Sequence, residues 1–216
     1  MNSPPKAFHS SLISEGNEEN RQEIWLLHGY ASNEADLHSL TPHFGDNYKI
    51  RSLRATFPLS SGGFAWYGLD FDINGVKRSD VHQAEESMHI IAKALDWHQS
   101  NFPKAKRPII LGFSQGGILA NALAFNYPEK VFCVISIASY FPLEWSFLKQ
   151  GKTKVPQLAA VGTEDAVVPM SMSIPTYNEA IKKYGMNVEV KTYTMPHSIS
   201  PECFTDIIKF LDEIKS

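Results

Sequence analysis

Cysteine is nearly missing from this sequence. Cys133 and Cys203 are the only two in 216 residues. Two thiols make no disulfide framework, and neither has a C-x-x-C partner for a metal cluster. Cys133, within "VFCVISIAS", reads as a core residue, and Cys203 as structural. Long apolar runs are missing too. The longest, around Val131 to Ala138, falls far short of the ~20 residues a spanning helix needs, so no stable membrane insertion is expected. The opening "MNSPPKAFHS" has no apolar segment of the secretory kind. There is no excess of basic charge: 20 basic and 23 acidic residues leave a net charge of -3. Nucleic acid is therefore not an expected partner. Internal repeats and low-complexity linkers are also absent. What remains is one domain of ordinary globular composition, 43% hydrophobic, over residues 1–216, with a cytoplasmic, reducing setting as the default.

The elements alternate. Residues 7–13 and 21–27 read as strands joined by an acidic hairpin tip, "SEGNEEN", so that 1–20 supply an N-terminal strand and polar hairpin. "IWLLHG" is an apolar strand ending in a glycine turn, with Ser32 or Asn33 as a helix N-cap beyond it. "NYKIRSL" alternates like a strand and leads into a long loop, "RATFPLSSGGFAWYGLDFDING". A helix is predicted from about Ser79 to Asn101. Asp80 and Gln83 form a capping-box pattern, and Val81, Ala84, Met88, Ile91, Ala92 and Leu95 recur at helical spacing. Strands "PIILGF", "VFCVISIAS", "QLAAVG" and "VEVKTYTM" follow, with helices after the first, the third (about Ser173 to Tyr184) and the last (to Ile214). Such alternation predicts an α/β fold: a mainly parallel central sheet with helices on both faces. In such sheets the active site lies beyond the carboxyl ends of the strands.

One stretch is hard to explain as packing. In "PIILGFSQGGILANAL" a serine stands among three glycines where strand gives way to helix. The pattern Gly112-x-Ser114-x-Gly116 is the nucleophile turn of α/β-hydrolases, and its strand–helix context is what that motif requires. The sharp reversal predicts a strained backbone at Ser114, with glycines on either side to let the chain pass. The N–H of Gln115, at the helix start, is placed to hold an oxyanion. A glycine-rich turn with a capping serine is the bland alternative. A serine nucleophile needs a base, oriented by an acid, in the order Ser, Asp or Glu, His. Of eight histidines only His197, in "TMPHSISPE", follows Ser114. "AAVGTEDAVVP" offers Glu164 and Asp165; the shorter Asp165, opening a D-x-x-x-P turn, is preferred. The loop after "IWLLHG" offers the N–H of Tyr30 as second oxyanion donor. His28 precedes the serine and reads as a hydrogen-bonded residue that shapes this loop.

Five segments taken together carry a resemblance: "LLHGYASNEADL", "LRATFPLSSGGFAWY", "GFSQGG", "GTEDAVVP" and "PHSISPE". From about Ile24 onward the chain resembles the phospholipase/carboxylesterase family of α/β-hydrolases, which includes the acyl-protein thioesterases. The resemblance implies hydrolysis of carboxylic esters or thioesters without cofactor or metal. It implies Ser114, Asp165 and His197 as catalytic residues, Tyr30 and Gln115 as oxyanion donors, and Trp66 as a substrate-side residue. Ala31 stands where relatives often have glycine, and Thr56 where "R-A-P" is usual, which bears on acyl preference.

Phe57, Phe64, Trp66, Phe141, Leu143 and Val168 lie in loops after strands and are candidates to line an acyl groove. There is little room for a separate lid domain, and the aromatic loops leave a homodimer contact open. Two other functions compete. A dienelactone-type small-lactone hydrolase would want cations near the triad, where only Arg51 and Arg54 are close in sequence. A catalytically inert α/β-hydrolase-fold binding module should have lost a triad member or a glycine.

Overall fold

The computed structural model describes residues 5–8, 12–13, 22–71, 73, 77–148 and 153–214. In chain order the strands and helices begin with β1 (Leu12–Ile13), β2 (Gln22–Leu27), α1 (Ala35–His38), β3 (Tyr48–Leu53), β4 (Phe57–Pro58) and β5 (Phe64–Ala65). They continue with β6 (Leu69–Phe71), β7 (Lys77–Ser79), α2 (Val81–Asn101), β8 (Ile109–Phe113), α3 (Gln115–Asn126) and β9 (Val134–Ile137). β10 (Gln157–Gly162), α4 (Met170–Tyr184), β11 (Val188–Tyr193) and α5 (Pro201–Glu213) complete the order.

The central sheet runs β1-β3-β2-β8-β9-β10-β11. Only the β1–β3 pairing is antiparallel; the other five are parallel. Parallel neighbours need crossovers, and the helices supply them. Strand residues alternate between the two covers. Trp25 and Leu27 of β2 and Ile110 of β8 pack with Met88, Ile91 and Leu95 of α2 and Leu119 and Leu123 of α3. Ile24, Leu26, Ile109 and Leu111 face the other way, onto Leu37 of α1 and Ile207 and Leu211 of α5. Ala159 and Val161 of β10 meet Tyr177 and Ala180 of α4. Both faces are therefore apolar, which is why the central strands read as continuous hydrophobic runs.

The N-terminal hairpin is a correction. β1 pairs with the outer edge of β3 (Leu12 opposite Ser52), not with β2, and Lys6–Phe8 form a 3-10 turn instead of strand. β2 already has β3 and β8 on its two sides, so no edge is left for a hairpin partner. The acidic tip, residues 14–20, lies outside the described residues. The long loop after β3 holds two unpredicted hairpins, β4–β5 and β6–β7. Their strands are two or three residues long, too short for a periodicity to show. At α2 the Asp80 side chain caps Gln83 N–H at 3.0 Å. Gln83 does not reach back; its Oε1 accepts from Gly68 N–H at 2.8 Å and ties the β6–β7 hairpin to the helix. The cap of α1 is neither Ser32 nor Asn33 but Glu34, without a side-chain cap bond; Asn33, one residue further out, accepts from Ala35 N–H at the start of a helix of only four residues.

Candidate active site

Four strands end at one edge of the sheet, and each delivers a loop to the same place. β8 passes directly into α3 through Ser114, whose φ of 52° and ψ of -118° lie outside the ordinary regions for a non-glycine residue. The neighbouring glycines explain how the turn closes. A Cβ on Gly112 would stand 2.3 Å from the Gly116 oxygen, and one on Gly116 would stand 2.1 Å from the Leu27 oxygen. Backbone, not a movable side chain, occupies both spaces. Ser114 N–H donates to Ile137 O at 2.8 Å, pinning the turn to β9.

The loop after β10 carries Asp165. The N–H groups of Val167 and Val168 both donate to its Oδ1 at 2.8 Å, leaving Oδ2 for a third partner. That partner is His197, after β11, with Nδ1 2.7 Å from Asp165 Oδ2. On the other side of the ring, His197 Nε2 lies 3.0 Å from Ser114 Oγ. The two loops are tied by Thr163 N–H to Tyr193 O and Glu164 N–H to Met195 O. Asp165 is buried at 5% exposure, whereas Glu164 is exposed. The structure thus brings Ser114, His197 and Asp165 into one hydrogen-bonded chain and leaves Glu164 outside it.

The side of the site opposite His197 is built from β2 and the loop beyond it. Ala55 N–H donates to His28 Nε2 at 3.0 Å, so the ring proton sits on Nδ1 and is donated to Gly29 O at 2.7 Å. Burial lowers the His28 pKa and keeps the ring neutral, as both bonds require. Ala31 takes a φ of 59°, the left-handed region where glycine fits without cost. Phe64 N–H donates to Ser32 O at 2.8 Å, so the β4–β5 hairpin braces this loop. Gln115 opens α3, where a backbone N–H has no acceptor within the helix. Its side chain accepts from Trp66 N–H and donates to Tyr67 O, at 2.8 and 2.7 Å, fixing the next segment against the helix start.

A cavity opens beside Ser114, lined by Tyr30, Gln115, Tyr67, Leu69, Ser79, Ile118, Tyr140, Val167, Val168 and Met172. Of the six groove candidates only Val168 is among these residues. Trp66 is 2% exposed; its indole N–H donates to His28 O at 2.9 Å and its ring lies against His28. Phe141 is fully buried with Phe125 and Tyr184, and Leu143 packs against the same cluster. Phe64 lies under the Arg54 guanidinium. Phe57 pairs with Ala65 in the β4–β5 ladder and is half-buried away from the cavity. Large aromatics in these loops are drawn into the body because burial is worth most to them. Tyr67, Ser79 and Tyr140 were missed. The only available signal was adjacency: next to a Trp66 that turns inward, Tyr67 turns toward the cavity.

Among the described residues no group of three or more His, Cys, Asp or Glu side chains is placed to hold a metal ion, and no helix is long and apolar enough to cross a membrane.

The sequence profile of the Phospholipase/Carboxylesterase family matches residues 9–215. Acyl-protein thioesterase 1 of Eremothecium gossypii is 29% identical over 137 residues, 61% of this chain and 58% of that protein, less than two thirds of its length. Acyl-protein thioesterase 1 of Schizosaccharomyces pombe is 26% identical over 159 residues, 69% of this chain and 68% of that protein. Esterase PE8 superposes with a TM-score of 0.78 at 22% identity, covering 95% of this chain and 98% of that one. The Bacillus cereus carboxylesterase superposes at 0.79 and 18% identity, covering 94% and 93%. The fold is that of the α/β-hydrolases, and with a match running over nearly its whole length the chain belongs to the phospholipase/carboxylesterase family.

Proposed function

We propose that this protein is a serine hydrolase that cleaves carboxylic esters or thioesters through an acyl-enzyme on Ser114. The observation that carries this is the relay Ser114–His197–Asp165, with contacts of 3.0 and 2.7 Å at the carboxyl ends of three strands. His197 Nε2 accepts the serine proton as Oγ attacks the carbonyl carbon. Asp165, held by two backbone N–H groups, keeps the opposite ring nitrogen protonated and stabilises the imidazolium. The N–H groups of Gln115 and Tyr30 hold the oxyanion. Each such donor is typically worth about 3 kcal/mol of barrier. His197 then protonates the leaving alcohol or thiol. Water, deprotonated by the same ring, attacks the acyl carbon and releases the acid.

Thioesters belong in the proposal because the named relatives in Eremothecium and Schizosaccharomyces are acyl-protein thioesterases. A small-lactone hydrolase for anionic substrates has less support. Among the described residues neither Arg nor Lys lines the cavity. Arg51 is engaged by Glu23 and Arg54 by Glu34. An inert binding module has no support from a relay whose members are all present and in reach. On this reading residues 1–216 form one catalytic domain without a separate lid, in a reducing, cytoplasmic setting that suits two buried, unpaired cysteines.

The test is a fluorophosphonate probe with p-nitrophenyl butanoate and its thioester analogue. Labelling at Ser114 and turnover of either substrate, both lost in Ser114→Ala, are expected. A folded protein that neither labels nor turns over would overturn the proposal.

A further inference from the structure

The turn after β9 is held from behind by one phenol. Tyr177, on α4 and fully buried, brings its hydroxyl within hydrogen-bond distance of three side chains. Ser136 Oγ of β9 lies 2.8 Å away, Ser139 Oγ just beyond β9 lies 2.9 Å away, and Asn121 Nδ2 of α3 donates to it at 2.9 Å. All three partners are buried as well. A phenol has one proton to give and lone pairs to receive. With Asn121 donating, one serine donates and the other accepts the phenol proton, so the hydroxyl is fully used. The same two helices fasten the next two residues. Asn121 Nδ2 also donates to Tyr140 O at 3.1 Å, and Phe141 N–H donates to Thr176 Oγ1 at 3.2 Å.

These bonds enclose strained backbone. Ser136 and Ser139 flank Ala138, whose φ of 49° is left-handed. An alanine stays in that conformation only where its surroundings hold it. On one side of it, Ile137 O accepts the Ser114 N–H at 2.8 Å, and Ser114 is itself at a positive φ of 52°. Ala138 N–H, on the same peptide plane as that oxygen, donates to Ala160 O of β10 at 2.9 Å. On the other side, Ser139 seats against the first turn of α3: a Cβ on Gly117 would stand 2.9 Å from its Oγ. Relaxing Ala138 must turn either this peptide or the chain next to it, and Tyr177 holds the chain on both sides. We infer that Tyr177 is a positioning residue: by tying Ser136 to Ser139 it keeps the left-handed turn at Ala138, and that turn sets Ser114 for attack. The inference rests on the acyl-enzyme reading above and adds a residue that tunes its nucleophile.

The experiment is a double-mutant cycle on the purified protein. It reads the second-order rate of fluorophosphonate labelling and the kcat and KM for p-nitrophenyl butanoate, well below every melting temperature. Circular dichroism and thermal melts show that each variant is folded. Tyr177→Phe keeps the ring in place and removes the hydroxyl. Labelling rate and kcat should fall together by about ten-fold, with KM little changed. Ala138→Gly supplies a residue that takes the left-handed turn without being held. In that background, Tyr177→Phe should cost less than about three-fold. A hydroxyl that served stability alone would lower the melting temperature, leave labelling of the folded protein unchanged, and gain nothing from the glycine. Ser139→Ala leaves the phenol in place and removes one of its partners. It should lose about three-fold in labelling, again relieved by Ala138→Gly, and it decides the matter should Tyr177→Phe not fold. A folded Tyr177→Phe that labels and turns over like the wild type, or a loss that persists in full in the Ala138→Gly background, would overturn the inference while leaving the hydrolase reading standing. A wild type that neither labels nor turns over any ester would overturn both.

Discussion

His28 and Gly29 are joined by a hydrogen bond that acts on the next residue. The His28 Nδ1–H donates to the Gly29 carbonyl oxygen at 2.7 Å. That carbonyl belongs to the same planar peptide as the Tyr30 N–H, which points the opposite way. Fixing the oxygen fixes the amide, so a buried ring on one side of the loop orients the proposed oxyanion donor on the other. His28 is in turn anchored by Ala55 N–H on Nε2.

Two substitutions separate these bonds. Asn places its amide nitrogen near the position of Nδ1 and can still donate to Gly29 O. Gln reaches the position of Nε2 and can still accept from Ala55. His28→Asn should retain most of kcat, while His28→Gln should lose about ten- to hundred-fold in kcat with KM little changed, short of the full loss of a donor. Steady-state kinetics on folded variants checks this. Equal losses in both would mean that the ring acts only through packing against Trp66.

The two acids of "GTEDAVVP" should behave differently. Asp165→Asn is expected to lower kcat by about three to four orders of magnitude, since the ring loses its partner for the protonated nitrogen. Glu164→Gln should stay within about two-fold, because Glu164 is exposed and outside the relay. His197→Ala should be about as severe as Ser114→Ala, since members of one relay fail together. The reverse order for the two acids would move the third role to Glu164.

Gly116→Ala tests the turn itself. Its Cβ would meet the Leu27 carbonyl at 2.1 Å, a backbone atom of a central buried strand. A loss of at least about 3 kcal/mol, or insoluble protein, is expected in thermal and urea unfolding. Ala31→Gly should instead be stability-neutral or gain up to about 1 kcal/mol, because it relieves a left-handed alanine.

Acid should destabilise the fold in two windows. The His28 pKa is lowered by burial, so the folded state prefers the neutral ring. Its stabilising contribution is complete above the unfolded value of about 6.5 and is lost as pH falls below it. Glu23 follows the same sign lower down. Burial by itself would raise its carboxyl, but the hydrogen bond to His98 and the Arg51 guanidinium outweigh that and hold it down at about 2. This contribution, up to about 3 kcal/mol, is complete above about 4.5 and is lost between there and about 2. Melting temperature against pH should therefore fall in two limbs. His28→Asn should remove the upper limb. Glu23→Gln should remove the lower one, at the cost of stability at neutral pH, where Arg51 would be left without its carboxylate partner.

The parallel sheet, its order of alternation and the chemistry of its loops were written in local patterns. Runs such as "PIILGF" are apolar on both faces because helices cover both. The glycines around Ser114 follow from close backbone approach, and the order of Ser, Asp and His follows from strand ends that share one edge. Tertiary structure decided the rest. The partner of β1 depended on which sheet edge was free, and the two small hairpins were too short to leave a period. The direction of each loop aromatic depended on where the body had room: Trp66 and Phe141 went into the core, where their area is worth most, while Tyr67, equally buried, and Tyr140 came to line the cavity beside Ser114. Ser79, on β7 and 35 residues before the nucleophile, carries no local mark of a place at the cavity. Only the tertiary fold sets it beside Ser114 and Gln115 in one cavity, because contacts so far apart in sequence depend on how the sheet and its covers pack.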